Sequence, residues 1–323
     1  MNISNELSIF DRWQYSLSEI KSHSYLLKWR YAYMIWVSLA AIVGVQGNFM
    51  VIFSIVYFKH LRKVPHILVC NLAIFDFGVM VMNVLSFYGS IYGKTAFNYS
   101  FCEVSGTICM LSCFGSLWSI LAISVNRYVC ICHNALYRSV FNAKSTVIMA
   151  VCVWVVAIAL DTPNMKFFGY GSHMFSIALH CAFKTYNDWW YNVFFYTGFA
   201  FLFPAFVTAW CYYNIWKSAT KLSKNFSEQR RKENRQMTIS LVIIFCVFLI
   251  CWTPLCILHS LVGIKPSLYM PFEIILCCEV WAHANSAINF MVYGFTHSGF
   301  RVAYQTIGSW FFPCFIKSPP GKQ

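Results

Sequence analysis

Long apolar stretches separated by short polar loops recur seven times along the chain. We place them at residues 34–58, 65–92, 103–126, 145–164, 189–216, 236–262 and 271–294. About 20 apolar residues in a helix cross a hydrocarbon layer about 30 Å thick, and the helix pairs its own backbone polar groups. The pattern predicts an all-α membrane protein, a seven-transmembrane helix bundle. After the seventh span, Phe300, Tyr304, Ile307 and Phe311 recur at near-helical spacing and predict a short amphipathic helix in the membrane interface.

Composition and charge agree with this pattern and orient it. Charged residues make up 11% of the chain, less than half the usual share of a soluble domain, which is about 25%. The net charge of +13 comes mostly from one side, because sixteen of the 24 Lys and Arg residues lie in alternate loops and the C-terminal tail. Positively charged loops stay cytoplasmic. We expect a multi-pass plasma-membrane protein with an extracellular segment 1–33, a membrane domain 34–294, and an interfacial helix and cytoplasmic tail 295–323.

The predicted orientation identifies candidate residues for a disulfide, for glycosylation and for palmitoylation. Cys102 opens the third span and Cys181 lies in the loop after the fourth, both on the outer side, where a disulfide between them is permitted. Sequons place glycan acceptors at Asn2 and Asn98. Cys314 in the tail is a candidate palmitoylation site.

Polar side chains within the spans indicate a site near the middle of the bundle, because polar groups in a bilayer are costly. The set comprises Asn48, Asp76, Ser116, Asn285 and Asn289. One carboxylate among hydroxyls and amides can hold a sodium ion through oxygen ligands. The alternative is a structural hydrogen-bond network without an ion. The sequence suggests no other metal and no cofactor.

A second set of residues suggests a conformational switch. Arg127, within Asn126-Arg127-Tyr128, ends the uncharged third span, so its guanidinium must reach the surface or be satisfied by a neighbour such as Tyr212. The simpler interpretation is an arginine at the membrane boundary. Pro254 removes a backbone hydrogen bond from the sixth span, and Trp252 stands two residues before it, where a kink can move its ring.

These motifs resemble those of the rhodopsin-like (class A) G-protein-coupled receptors. They follow in that family's order: Gly47-Asn48, Asn71 to Asp76, Asn126-Arg127-Tyr128, Trp154, Pro204, Cys251 to Pro254, and Asn289 to Tyr293. Within the family the chain is most similar to melatonin receptors, through Cys130-Ile131-Cys132-His133, Cys102 to Gly106, Pro163-Asn164 and Cys181-Ala182-Phe183. The resemblance implies a receptor that couples a small extracellular ligand to a heterotrimeric G protein of the inhibitory class, with Tyr293 as part of the switch.

The resemblance also implies a ligand pocket. Its expected residues are Gly106, Cys109, Met110, Asn164, Phe183, Thr185, Ala200, Trp252, Cys256, Glu279 and His283. Several depart from the melatonin-receptor pattern: Thr185 replaces a glutamine, Ala200 a histidine, Cys256 an asparagine, and Glu279 and His283 two tyrosines. Losing these polar partners costs about 1 kcal/mol or more each, so we expect a small, aromatic ligand other than melatonin.

Glu279 and His283 lie four residues apart on one face of the seventh span. They could present a carboxylate to a ligand amine, bind a metal weakly, respond to pH, or form a buried pair that only shapes the cavity.

Two other functions remain open on the sequence. One is a receptor-like protein that has lost its ligand and acts as a dimer partner, because so many pocket residues are substituted. The other is a transporter or membrane enzyme that uses Asp76, Glu279 and His283 as a relay. The chain shows no catalytic motif, and we expect it not to be an enzyme.

Overall fold

The structure is a computed structural model, which describes residues 23–92, 99–162, 173–175, 181–183, 190–222, 228–265, 268 and 271–311. Its long helices confirm the predicted fold class. In chain order they are α1 His23–Tyr57, α2 Val64–Tyr92, α3 Tyr99–Cys132, α4 Asn134–Val140, α5 Ala143–Asp161, α6 Phe203–Leu222, α7 Glu228–Ile264, α8 Phe272–Thr296 and α9 Ser298–Phe311. A π-helical segment, Trp190–Leu202, leads directly into α6, and a 3₁₀ turn, Lys59–Leu61, follows α1.

Six helices of the described chain are long and apolar enough to cross a membrane: α1, α2, α3, α5, α6 with its π-helical segment, and α7. The seventh, α8, carries Glu279, His283, Asn285 and Asn289, which lower its mean hydropathy, and it packs against α1, α2 and α7. The bundle buries the polar residues of its spans and exposes large apolar side chains on its outside. Asp76 is fully buried, whereas 72% of the Phe206 side chain is exposed. This distribution suits lipid as the surrounding solvent.

Helix α3 lies at the centre of the bundle, in contact with α2, α5, α6 and α7, and α8 closes the ring by packing against α1. Asn71 on α2 ties three helices together. Its amide nitrogen donates to the Ser119 hydroxyl on α3 at 2.9 Å, and its oxygen accepts from the Trp154 indole on α5 at 2.9 Å. The Trp154 and Phe75 rings pack 4.2 Å apart. These contacts fix the rotation of α2, which carries Asp76.

The helices extend past several predicted spans. Helix α1 begins at His23, ten residues before the predicted end of the N-terminal segment. Helices α6 and α7 run into the basic stretch 217–235. The seven-residue helix α4 was not predicted. It is followed by a capping box at the start of α5, in which Asn142 and Ser145 each accept the other's backbone N–H.

Two local features were not predicted from the sequence. The π-helical segment ends two residues before Pro204, whose lack of an N–H prevents a regular helical hydrogen bond at this point. Strands β1 His173–Phe175 and β2 Cys181–Phe183 form a small antiparallel pair in which His173 faces Phe183, and both strands contact α3. We call this side of the bundle the hairpin end and the opposite side the α9 end. Helix α9 confirms the predicted amphipathic helix, burying Phe300 and Ile307.

Candidate ligand and signalling sites

A polar cluster surrounds the carboxylate of Asp76 in the middle of the bundle. Ser116 on α3 donates a hydrogen bond to its Oδ1 atom. On α8, the Ser286 hydroxyl donates to Oδ1 at 2.8 Å, and the Asn289 amide donates to Oδ2 at 2.7 Å. Asn48 on α1 joins the cluster indirectly, because its amide donates to the Ser286 carbonyl oxygen at 2.8 Å. Four helices therefore meet at one buried acid.

The cluster holds more acceptor oxygens than its internal hydrogen bonds use. Among the described residues, the side-chain oxygens of Asn48, Asn285 and Asn289 are buried without a hydrogen-bond partner. Asn285 makes no bond to Asp76, and the neighbouring Ser286 occupies that position instead. A buried carboxylate with unpaired amide oxygens nearby is a suitable donor set for a hard monovalent cation.

Arg127 lies further along α3 than the polar cluster, toward the α9 end of the bundle. Its side chain is only 2% exposed, and its Nη2 atom donates to the Asn126 side chain at 2.6 Å. Tyr137 on α4 lies beside both residues, and burial raises the pKa of its phenol. Of the two expected arrangements, the guanidinium is satisfied by a neighbour and does not reach the surface, but that neighbour is Asn126 and not Tyr212. Asn126 is adjacent and needs no movement of another helix, so it takes the guanidinium first.

Two tyrosines have buried hydroxyls without a hydrogen-bond partner among the described residues: Tyr212 on α6, which lies near Arg127, and Tyr293 on α8. The Arg127 Nε atom is unpaired in the same sense. An unsatisfied buried polar group costs about 1–3 kcal/mol. An arrangement that pairs these groups with one another would gain hydrogen bonds that the described residues do not make in this conformation.

The α9 end of α7 is held by polar contacts to its neighbours. Lys63, after α1, forms a 2.5 Å ion pair with Glu233. Gln236 accepts a hydrogen bond from the Ser298 hydroxyl at 3.0 Å, and Ser240 and Thr296 share one at 2.5 Å. These contacts join α7 to the loop after α1, to the end of α8 and to the start of α9.

His297 lies where α8 ends, close to these contacts. Burial, together with the charge of nearby Lys63, lowers the pKa of its imidazole to about 4, so the ring is neutral at pH 7. It packs against Phe300 and His66.

In the described part of the chain, residues of the predicted ligand pocket border two small cavities. The first lies between α3, the π-helical segment and α7, and it has a volume of about 20 Å³. Its lining consists of Cys113, Phe114, Leu117, Tyr196, Ala200, Phe201, Phe248, Trp252 and Cys256. The second cavity, of about 10 Å³, lies between α1, α2 and α8. Its lining consists of Tyr33, Trp36, Val37, Ala40, Asn83, Glu279, Val280 and His283. Each volume is comparable to the space that one water molecule needs.

The predicted pocket residues are distributed over both cavities. Ala200, Trp252 and Cys256 line the first cavity, where the Trp252 ring stacks on Phe248 at 5.7 Å. Glu279 and His283 line the second. A cysteine pair connects the two: Cys113 lines the first cavity, and the sulfur of Cys109 lies 3.9 Å from the His283 Nε2 atom.

Other predicted residues lie away from the cavities or outside the described part. Met110 packs into a cluster with Phe114 and Leu160, and Gly106 lies on α3 one turn before it. Asn164 and Thr185 lie outside the described residues, as do Asn2, Asn98 and Cys314. Phe183 and Cys181 belong to β2 and Cys102 to α3, but their side chains are not described. Their assigned roles, including the disulfide, stay predictions.

The sequence profile described as "7 transmembrane receptor (rhodopsin family)" matches residues 47–293, which is more than half of the chain. The chain belongs to this receptor family. It is a G-protein-coupled receptor, as its motifs indicated, and not an enzyme. As a family member it is an integral, multi-pass membrane protein that takes a small-molecule ligand and a G protein as partners.

Several relatives of this receptor are melatonin receptors. The chicken (Gallus gallus) melatonin receptor type 1C is 29% identical over 82% of this chain and 78% of its own length. The zebrafish (Danio rerio) melatonin receptor type 1A-A is 27% identical over 82% and 77%. Squid rhodopsin is similar in structure, with a TM-score of 0.76 at 21% identity, covering 88% of this chain and 87% of its own. That likeness concerns the fold alone.

The receptor's structure also contains residues that sequence reasoning missed. Ser286, rather than Asn285, completes the polar cluster. Tyr196 lines the first cavity and packs against His259 with ring centroids 4.8 Å apart. An aromatic residue in an apolar span gives no signal by itself, since most such residues face lipid or core. Cys113 could have been suspected from its spacing of four from Cys109.

Proposed function

We propose that this receptor binds a small, mainly apolar or aromatic molecule in the first cavity and signals through an inhibitory-class G protein. The cavity lining carries the proposal. It consists of aromatic, aliphatic and cysteine side chains around Trp252, with Ala200 and Cys256 where melatonin receptors have polar residues. Such a surface favours a ligand with fewer hydrogen-bonding groups than melatonin. The inhibitory class rests on similarity to melatonin receptors.

The size of the cavity implies that binding changes the receptor. A volume of about 20 Å³ is too small for an aromatic ring system, since pockets for such ligands measure about 300 Å³ or more. The ligand must favour an expanded state, and it can do so only by binding that state better. Because Trp252 and Pro254 lie on α7, expansion around Trp252 acts on the helix that carries Glu233 at its α9 end.

The α9 end is arranged to respond to such a movement. If α7 leaves Lys63, Thr296 and Ser298, Arg127 becomes accessible, and the hydroxyls of Tyr212 and Tyr293 gain room to find partners. We propose that this opening, together with the basic stretch 217–235, forms the surface that receives the G protein. The positive charge of the same stretch supports a cytoplasmic α9 end and an extracellular N-terminus at the plasma membrane.

The small cavity also favours a second candidate, a receptor-like protein without a ligand that acts as a dimer partner. In that case the cavity stays closed and the substituted pocket residues reflect a lost binding site. The two candidates differ in whether any small molecule changes nucleotide exchange on a G protein.

The test is a guanine-nucleotide exchange assay on the reconstituted receptor with an inhibitory-class G protein, across indoles, other aromatic compounds, amines, protons and metal ions. Ala200→Leu fills the cavity and should reduce the potency of an aromatic agonist at least about tenfold, an amount of about 1.4 kcal/mol. Phe199→Leu is the matched control, because its side chain is 46% exposed on the outside of the same segment.

Agonism that Ala200→Leu leaves unchanged would overturn the proposed site. Exchange that no compound alters would favour the ligand-free dimer partner. Potent agonism by melatonin, unaffected by Glu279→Gln, would show that the substituted pocket residues do not prevent melatonin from binding.

A further inference from the structure

Three potential metal ligands converge between the two cavities. Cys109 and Cys113 lie on α3 and His283 lies on α8, and their sulfur and nitrogen atoms are all within 4.8 Å of one another. Cys109 Sγ and His283 Nε2 are 3.9 Å apart. We propose that Cys109, Cys113 and His283 form a Zn²⁺ site that joins α3 to α8. The proposal does not depend on the identity of the receptor's ligand.

The geometry is close to that of a loaded site. Zinc binds thiolate at about 2.3 Å and imidazole at about 2.0 Å in tetrahedral geometry, which places neighbouring ligand atoms about 3.4–3.8 Å apart. The Cys109–His283 pair is at 3.9 Å and no pair is more than 4.8 Å apart, so the ligand atoms need to close by about 1 Å or less. Cys109 and Cys113 are four residues apart, so one helix face presents both sulfurs. A rotamer adjustment is enough to complete the site.

The chemistry of the ligands selects the metal. Thiolate and imidazole together favour Zn²⁺ over Mg²⁺ or Ca²⁺, which prefer oxygen. Two thiolates balance the charge of the ion, which lowers the cost of holding it in a membrane interior. Each thiol must lose its proton to become a ligand, so binding releases two protons to solvent.

Glu279 provides a second observation at the same place. It precedes His283 by one helical turn, and both line the second cavity together with Asn83. Ligating histidines commonly donate their other ring N–H to a carboxylate, which fixes the tautomer. The Nε2 atom of His283 faces Cys109, and Glu279, one helical turn away, is the acid we propose to accept a bond from the other ring nitrogen. Glu279 is thus a positioning residue.

Three protein ligands leave one tetrahedral position open. Cys113 borders the first cavity and His283 borders the second, so a water molecule or a donor atom from a bound compound can complete the coordination. The ion would hold α3 and α8 together between the two cavities.

Cobalt substitution on the purified full-length receptor tests the site directly. After chelator treatment, Co²⁺ should bind once per receptor and produce tetrahedral visible bands with a thiolate-to-cobalt charge-transfer band. Zn²⁺ should abolish both, and zinc binding to the metal-free receptor should release two protons. Cys109→Ser, Cys113→Ser and His283→Phe should each weaken binding by about 100-fold or more, whereas Glu279→Gln should retain the spectrum and weaken binding by about 10- to 100-fold.

Cys211→Ser is the matched control, because this thiol is also buried, at 1% exposure, but lies on α6 outside the cluster. It should bind Co²⁺ as the unmodified receptor does. Thermal unfolding without metal establishes that each variant is folded. Absence of the charge-transfer band, or a band that survives in folded Cys113→Ser and His283→Phe receptors, would overturn the proposal.

Discussion

Gly47 and Phe290 show how one residue pair controls the approach of two helices. A Cβ atom at Gly47 would lie 2.0 Å from the Phe290 ring, far inside van der Waals contact. Gly47 on α1 therefore lets α8 carry a bulky Phe290 at this position. The close approach holds α1 beside the polar cluster, one residue from Asn48.

Gly47→Ala should destabilise the receptor by about 1–3 kcal/mol, because the ring must move to make room for the methyl group. Phe290→Ala removes the obstacle, so adding Gly47→Ala in that background should cost nothing further. A double-mutant cycle from thermal unfolding in detergent measures the difference. Additive effects of the two substitutions would show that the clash is relieved in some other way.

The sequence predicted the polar cluster but not which of its neighbouring side chains form the hydrogen bonds. The pattern identified Asp76 as the centre of a polar cluster, because a lone acid in an apolar span has few alternatives. It did not distinguish Ser286 from Asn285. The two are adjacent, only about 100° apart around α8, and the rotation of that helix depends on its packing against α1 and α2. Likewise, no periodicity reveals that Asn126 bonds its own neighbour Arg127.

The membrane-spanning helices were predictable from the sequence, whereas their local irregularities were not. Seven apolar stretches and an amphipathic tail determine which helices form, since a bilayer leaves the backbone few alternatives. The π-helical segment before Pro204 and the short helix α4 arise from local hydrogen bonding. Neither leaves a hydrophobic period long enough to recognise. The extension of α6 and α7 beyond the membrane can be predicted from the sequence, because residues 217–235 keep helical character while becoming basic.

The ion pair between Lys63 and Glu233 joins one such extension to the loop after α1. Its side chains are 47% and 35% exposed, so the pair contributes at most about 1 kcal/mol to the closed position of α7. Glu233→Gln should raise ligand-independent nucleotide exchange by up to about fivefold, and high salt should raise exchange in the unmodified receptor and abolish the difference. Exchange assays at two salt concentrations measure both effects.

The charge-swapped receptor, Lys63→Glu with Glu233→Lys, is the matched control and should return exchange to the original level. If Lys63→Glu, Glu233→Lys and the charge-swapped receptor all show the same nucleotide exchange, the ion pair does not restrain α7. The contacts of Gln236 and Ser240 then carry the restraint alone.

For the whole molecule, the polar cluster lies between the cavities at the hairpin end and Arg127 at the α9 end. Its members come from α1, α2, α3 and α8, and the oxygens of Asn48 and Asn289 remain unpaired. We expect a sodium ion to bind there, with the Asp76 carboxylate as its principal ligand. Such an ion would stabilise whichever packing of the four helices brings these oxygens together, and so link the two ends of the bundle.

Sodium chloride should therefore raise the free energy of unfolding relative to choline chloride at equal ionic strength, by about 1.4 kcal/mol at ten times the dissociation constant. Asp76→Asn should remove the difference, because it takes away the charge that holds the ion. Ser116→Ala should reduce it, since one oxygen is lost while the carboxylate remains. Thermal unfolding of the detergent-solubilised receptor in the two salts provides the measurement. Equal stabilisation by both salts, or a sodium effect that persists in Asp76→Asn, would identify the cluster as a hydrogen-bond network without an ion.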